Sequence, residues 1–162
     1  MKIDFLVVRP GPDLVPGQSY PDLARPLAQG LRAIGRSAAI LTLGADTEPL
    51  PEGLPVFRLD YPARVAAGEP YDPFVARRHG VVNFRRAAFC EHVYVQAEIR
   101  PLSLEQLSAQ VPAAFAEVHR LFEQHEIGCV VHAMMGGEIL RETATIVARQ
   151  RGIPVIYNSN TR

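Results

Sequence analysis

The sequence predicts an α/β fold: a doubly wound, mostly parallel sheet flanked by helices. Two observations carry that prediction. Short β-branched runs at Ile3 to Val8 and Ala38 to Leu43 bracket a stretch of helical period. A second strand-helix-strand unit closes the chain from Ile127 to Arg162, and a connection of that length makes its two strands parallel neighbours. The 162 residues are enough to bury one core without disulfide or metal, so residues 1–162 are read as a single Rossmann-like domain.

Ile3 to Val8 is apolar almost throughout and fits a central strand buried on both faces. The connection that follows, Arg9 to Asp22, is rich in Pro and Gly and longer than is usual between strand and helix. Such a loop at a strand's carboxyl end is often part of a binding site. Leu23, Leu27, Leu31 and Ile34 then predict one helical stripe against the sheet, with Pro26 confined to the first turn and Gly35 ending the helix. Gly44 to Pro73 offers one strand, Val56 to Leu59, and little else. Phe74 to Arg100 reads as helix over most of its length, although Val93 to Val95 pulls toward strand. Ser103 and Gln106 form a capping-box pattern, Pro112 marks a kink or a fresh start, and Val111, Phe115, Val118 and Phe122 give an apolar face up to His125. In the closing unit Cys129 to His132 is a strand, the helix runs from Glu138 with Leu140, Ala144, Val147 and Ala148 inward, and Gly152 closes it before Ile153 to Tyr157.

Composition narrows the function. Lys plus Arg number 17 and Asp plus Glu 17, so total charge supplies no footprint for nucleic acid or an anionic membrane. The run after Lys2 is too short for a signal peptide, and no run approaches the roughly 20 apolar residues of a transmembrane helix. A cytoplasmic location is the expectation. Cys90 and Cys129 are read as reduced and structural. The dinucleotide fingerprint G-x-G-x-x-G, the P-loop pattern and the G-x-S-x-G elbow are all absent, which weighs against nicotinamide, P-loop and serine-hydrolase chemistry.

Ligands in parallel sheets sit at the carboxyl ends of the strands, here His132 to Glu138 and Asn158 to Thr161. Gly136 and Gly137 let backbone approach a ligand, and a helix start beyond them offers free amides; the alternative is a simple tight turn with Glu138 complementing the helix dipole. His132 ends a strand at this edge, where it either meets a ligand or bonds to neighbouring backbone. Asn158, Ser159 and Asn160 are small polar groups suited to a polyol. Arg77, Arg78, His79, Arg85 and Arg86 form one basic cluster, either for an anionic group at the mouth of the site or as a solvated helix face. The scattered histidines have no metal-ligand spacing, so no metal is expected.

Two blocks together resemble a known family. Residues 1–44 are similar to the opening of GT-B glycosyltransferases of the large retaining, family 4-like group that builds bacterial surface polysaccharides. The closing block, with VVHA, GGE and ARQRGIPVIYNSNT, resembles that group's strand, loop, helix and "GIPVV" strand with a polar tail. The resemblance implies a cleft lined by Gly17 and Gln18 near a sugar donor's phosphates, and by His132 to Glu138. Asn160 stands where the family commonly has a histidine, and an amide cannot do acid-base work near neutral pH. It further implies the N-terminal, acceptor-side half of a two-domain enzyme, with a sugar or glycan acceptor. The nucleotide-sugar donor would be held by a separate C-terminal domain, this half would bind no cofactor and be inactive alone, and the full-length protein would associate peripherally with a membrane. The alternative is a free-standing flavodoxin-like binding or regulatory domain; a third reading is a nucleotide-binding enzyme with a non-standard phosphate loop at Gly136 and Gly137.

Overall fold

The computed structural model describes residues 1–9, 23–44, 53–94, 102–133 and 138–158, the side chains of 90–94 excepted. The first strand is β1 (Lys2–Ile3) continued as β2 (Phe5–Val8). Its interruption has a local cause. The Asp4 amide donates to Ser37 Oγ at 2.8 Å, and the Asp4 carboxylate accepts from the Ser37 amide at 2.9 Å. The Ser37 amide on the carboxylate, with the Ser37 hydroxyl second, holds the Asp4 carboxyl below its ordinary range. A second interrupted strand, β5 (Glu126–Ile127) and β6 (Val130–His132), runs alongside in parallel. Gly128 sits where the two meet: a Cβ there would lie 3.0 Å from the Asp4 carbonyl oxygen. The Gly128 amide bonds to Ile3 and the Leu6 amide to the Cys129 carbonyl, both at 2.8 Å, so the ladder carries through the break.

With β3 (Ala38–Leu43), β4 (Val56–Leu59) and β7 (Val155–Tyr157), the main sheet has the order β4-β3-β2-β6-β7, every pair parallel. In terms of chain order this is third, second, first, fourth, fifth. That is the Rossmann arrangement, as the sequence predicts; the flavodoxin arrangement would put the second strand outermost.

Alternation along the strands splits the core in two. Val7, Ile40 and Val131 face α1 (Ala24–Ala33), whereas Leu6, Leu41 and Val130 face α5 (Leu104–Gln124) and α6 (Ile139–Gln150). Along α1 the fully buried positions are Ala24 and Ala28, small enough for close approach to the sheet. Leu23, Leu27 and Leu31 pack at their flanks, and Pro26 lies in the first turn as expected. Ile34 departs from the expected stripe: it follows the last helical residue and is exposed, because the chain turns away there into Gly35 at φ 77°.

Three short helices lie over α5: α2 (Tyr61–Ala66), α3 (Phe74–Arg78) and α4 (Phe84–Tyr94). α5 is consequently buried around most of its circumference. Its start is the expected capping box, with the Ser103 hydroxyl accepting from the Gln106 amide at 3.1 Å and the Gln106 side chain accepting from Ser103 at 2.8 Å. Pro112 does not make a fresh start; it lies inside the helix. The single helix expected over 74–100 is two, broken at 79–83 where Gly80 takes φ 75°, and Val93 and Tyr94 are helical rather than strand; residues 95–100 lie outside the described set. α2 had no sequence signal. It is tied down by Glu117 of α5, a buried carboxylate accepting from the Asp60 amide at 3.1 Å, Arg64 at 3.0 Å and the Tyr71 hydroxyl at 3.3 Å.

Candidate functional site

The order of the sheet reverses between β2 and β6, so the place where ligands enter such folds is the carboxyl end of these two strands. Arg9 follows β2 directly and is buried, its amide bonded to the Leu41 carbonyl at 2.9 Å. Ala133 follows β6. Asn158 follows β7, is exposed, and its amide donates to the His132 carbonyl at 3.0 Å. These residues bring the edges of three strands to one level.

α6 starts above this edge. Glu138 is its N-cap residue in extended conformation, but its side chain makes no capping bond. The carboxylate instead pairs with Arg141 at 3.3 Å, one turn into the helix, and both side chains are buried. The dipole reading of Glu138 is therefore incomplete, because much of its negative charge is met by a guanidinium. A buried ion pair of this kind contributes little net stability, since desolvation offsets the Coulomb attraction; fixed polar groups at a ligand edge are its plainest consequence.

His132 is completely buried, with its ring on the α6 side of the sheet. Its Nε2 lies 2.8 Å from Thr145 Oγ1, which in turn lies 3.2 Å from the Tyr157 hydroxyl. The imidazole also stacks on the Tyr157 ring, centroids 5.0 Å apart. The expected bond to backbone is thus replaced by a side-chain chain running from β6 to α6 to β7. Nδ1 is buried with no hydrogen-bond partner among the described residues. Burial first, then the charges of Arg141 and Arg149, lower its pKa to about 4. His132 is a neutral imidazole at neutral pH. It orders the edge; any proton exchange with a ligand would have to pass through its partners, of which Tyr157, 43% exposed, reaches solvent.

Of the nine sequence-predicted site residues, His132, Glu138 and Asn158 come together at this edge. Gly17, Gln18, Gly136, Gly137, Ser159 and Asn160 lie outside the described residues. The basic cluster is not gathered at the edge: His79 bonds to Gln150, the last residue of α6 and the end opposite Glu138, and its Nε2 lies 3.0 Å from His119 Nδ1. Arg9, Thr145 and Tyr157 carried no sequence warning. Arg141 had the faintest, a Glu-Arg pair at i, i+3 across a helix start. Among the described residues no three His, Cys, Asp or Glu side chains assemble as metal ligands, and no helix is long and apolar enough to cross a membrane.

The fold and this edge define a Rossmann-like α/β domain with a polar switch point. Comparison with family models, characterised proteins and solved structures returned no match.

Proposed function

We propose that the chain is the acceptor-side domain of a nucleotide-sugar-dependent glycosyltransferase. One observation carries the reading. The two blocks that resemble that family supply β2 and β6, which pair in parallel from Leu6 opposite Val130 to Val8 opposite His132. Strands more than a hundred residues apart in the chain, one from each block, thus meet at the one edge where a Rossmann-type sheet takes its ligand. Neutral and charged hydrogen-bonding groups at that edge, Asn158, Glu138 and Arg141 with Arg9 nearby in the sheet order, suit hydroxyl-rich ligands, whose every oxygen needs a partner when desolvated.

In this reading the domain holds the sugar or glycan acceptor, and a second domain holds the nucleotide-sugar donor. A cytoplasmic location and peripheral attachment to a membrane belong to the same proposal. His132, neutral and buried, acts as a positioning residue for Thr145 and Tyr157 rather than as the catalytic base.

The test is a transfer assay with radiolabelled UDP- and GDP-sugars. The chain alone should release no nucleoside diphosphate, whereas a polypeptide joining it to its donor-binding domain should transfer sugar. Absence of both transfer and donor hydrolysis in the joined polypeptide sinks the proposal.

A further inference from the structure

Total charge hides a local excess. Between Asp72 and Glu91 the chain carries Arg77, Arg78, Arg85 and Arg86 and no acidic residue. On the helical period, Phe74, Arg77 and Arg78 share one side of α3, opposite Val75 and Ala76, which turn toward the core. In α4, Arg85, Arg86 and Phe89 share the side opposite Phe84, Ala87 and Ala88, which also pack inward. Both helices rest on α5, which rests on the sheet, so these outward faces form the outermost layer on that side.

The layer is both basic and apolar. Phe74 is 57% exposed, Phe89 51% and Val82, in the link between the helices, 77%. None of the four arginines forms an ion pair among the described residues; Arg78 lies over the Phe74 ring, its guanidinium carbon 5.7 Å from the centroid. Unpaired guanidiniums are weakly hydrated and suited to bidentate phosphate contact. Exposed phenylalanine and valine among them match the composition of faces that sink into the boundary between lipid headgroups and acyl chains.

We propose that the outer face of α3 and α4 docks on a membrane rich in anionic phospholipid, with the arginines on headgroup phosphates and Phe74, Val82 and Phe89 in the acyl boundary. A nucleic-acid strand is the less fitting occupant. Such strands are held in positive grooves where aromatic rings stack on bases, whereas here the most exposed apolar side chain is aliphatic and the layer is the outside of two helices. The inference gives a surface to the peripheral membrane attachment that belongs to the proposed function, and vesicle binding is measured apart from sugar transfer, so the failure of one is told from the failure of the other.

The experiment is co-sedimentation of the whole chain with phosphatidylglycerol-phosphatidylcholine vesicles and with phosphatidylcholine alone. Binding to the anionic vesicles only, weakened by added salt, is expected. The double variant Arg77→Gln/Arg85→Gln should bind roughly 30-fold more weakly, from about five-fold per charge. Phe74→Ser/Phe89→Ser should also lose binding, and Lys2→Gln/Arg36→Gln, the same charge change elsewhere on the surface, should not. All the replaced side chains are exposed, and unchanged circular-dichroism melts establish that the variants fold. Failure to bind anionic vesicles, or equal binding by the patch variants, overturns the proposal. So does binding of a single-stranded RNA oligomer with this arginine dependence where vesicles fail.

Discussion

At the scale of single residues, His132 links the fold to its edge. The unfolded chain protonates it near its ordinary pKa of 6.5, but the folded chain does so only at about 4. A depressed histidine pKa means that the unfolded state binds more protons in this window. The stabilisation is therefore complete above about pH 6.5 and is lost as pH falls toward 4, by about 3 kcal/mol. Urea unfolding of the wild type and His132→Phe across that window checks this: the difference between the two should shrink as pH falls, and parallel curves would refute it. Thr145→Val should cost about 1 to 2 kcal/mol at neutral pH, because the replacement keeps the shape but strands the buried His132 Nε2. His132 itself could be read in the sequence as a strand-end polar group. Its partners could not: Thr145 lies within an apolar helix face, and Tyr157 looks like one more residue of a β-branched run, so only the pairing of β6 with β7 brings them together.

Among the elements, legibility followed local causes. The Ser103 capping box and β3 and β4 were each specified within a few residues and stand where the sequence put them. α2 was not legible, because six residues with a proline near the start have no amphipathic period of their own, and Glu117 supplies its anchor from 53 positions beyond Arg64. Glu117→Ala should cost about 2 to 3 kcal/mol by removing charged hydrogen bonds to three partners. Hydrogen exchange should show α2 losing protection before the sheet does. Gly128→Ala tests the paired strand breaks: a methyl against the Asp4 carbonyl oxygen must push the first and fourth strands apart, at about 1 to 2 kcal/mol by thermal unfolding. A Gly128→Ala variant as stable as the wild type would mean that the close approach carries no constraint.

For the whole molecule, the parallel α/β class and the central first strand were readable because a buried parallel strand is apolar on both faces and announces itself without its neighbours. The one-sided stacking of α2, α3 and α4 over α5 was not readable, since it depends on which helix a short amphipathic segment meets after the chain has closed. The same three-dimensional arrangement concentrates Arg9, His132, Glu138, Arg141 and Asn158 at the β2–β6 edge and leaves the arginines of α3 and α4 on the outer layer. The central claim, a sugar acceptor held at that edge, is tested most directly by amide chemical-shift mapping of the labelled chain titrated with a panel of free hexoses, hexosamines and uronic acids. The account predicts that the largest shifts fall on Arg9, His132, Ala133, Asn158 and the first turn of α6. Shifts centred on α3, α4 or the opposite edge of the sheet, or none with any sugar of the panel near saturation, would contradict it.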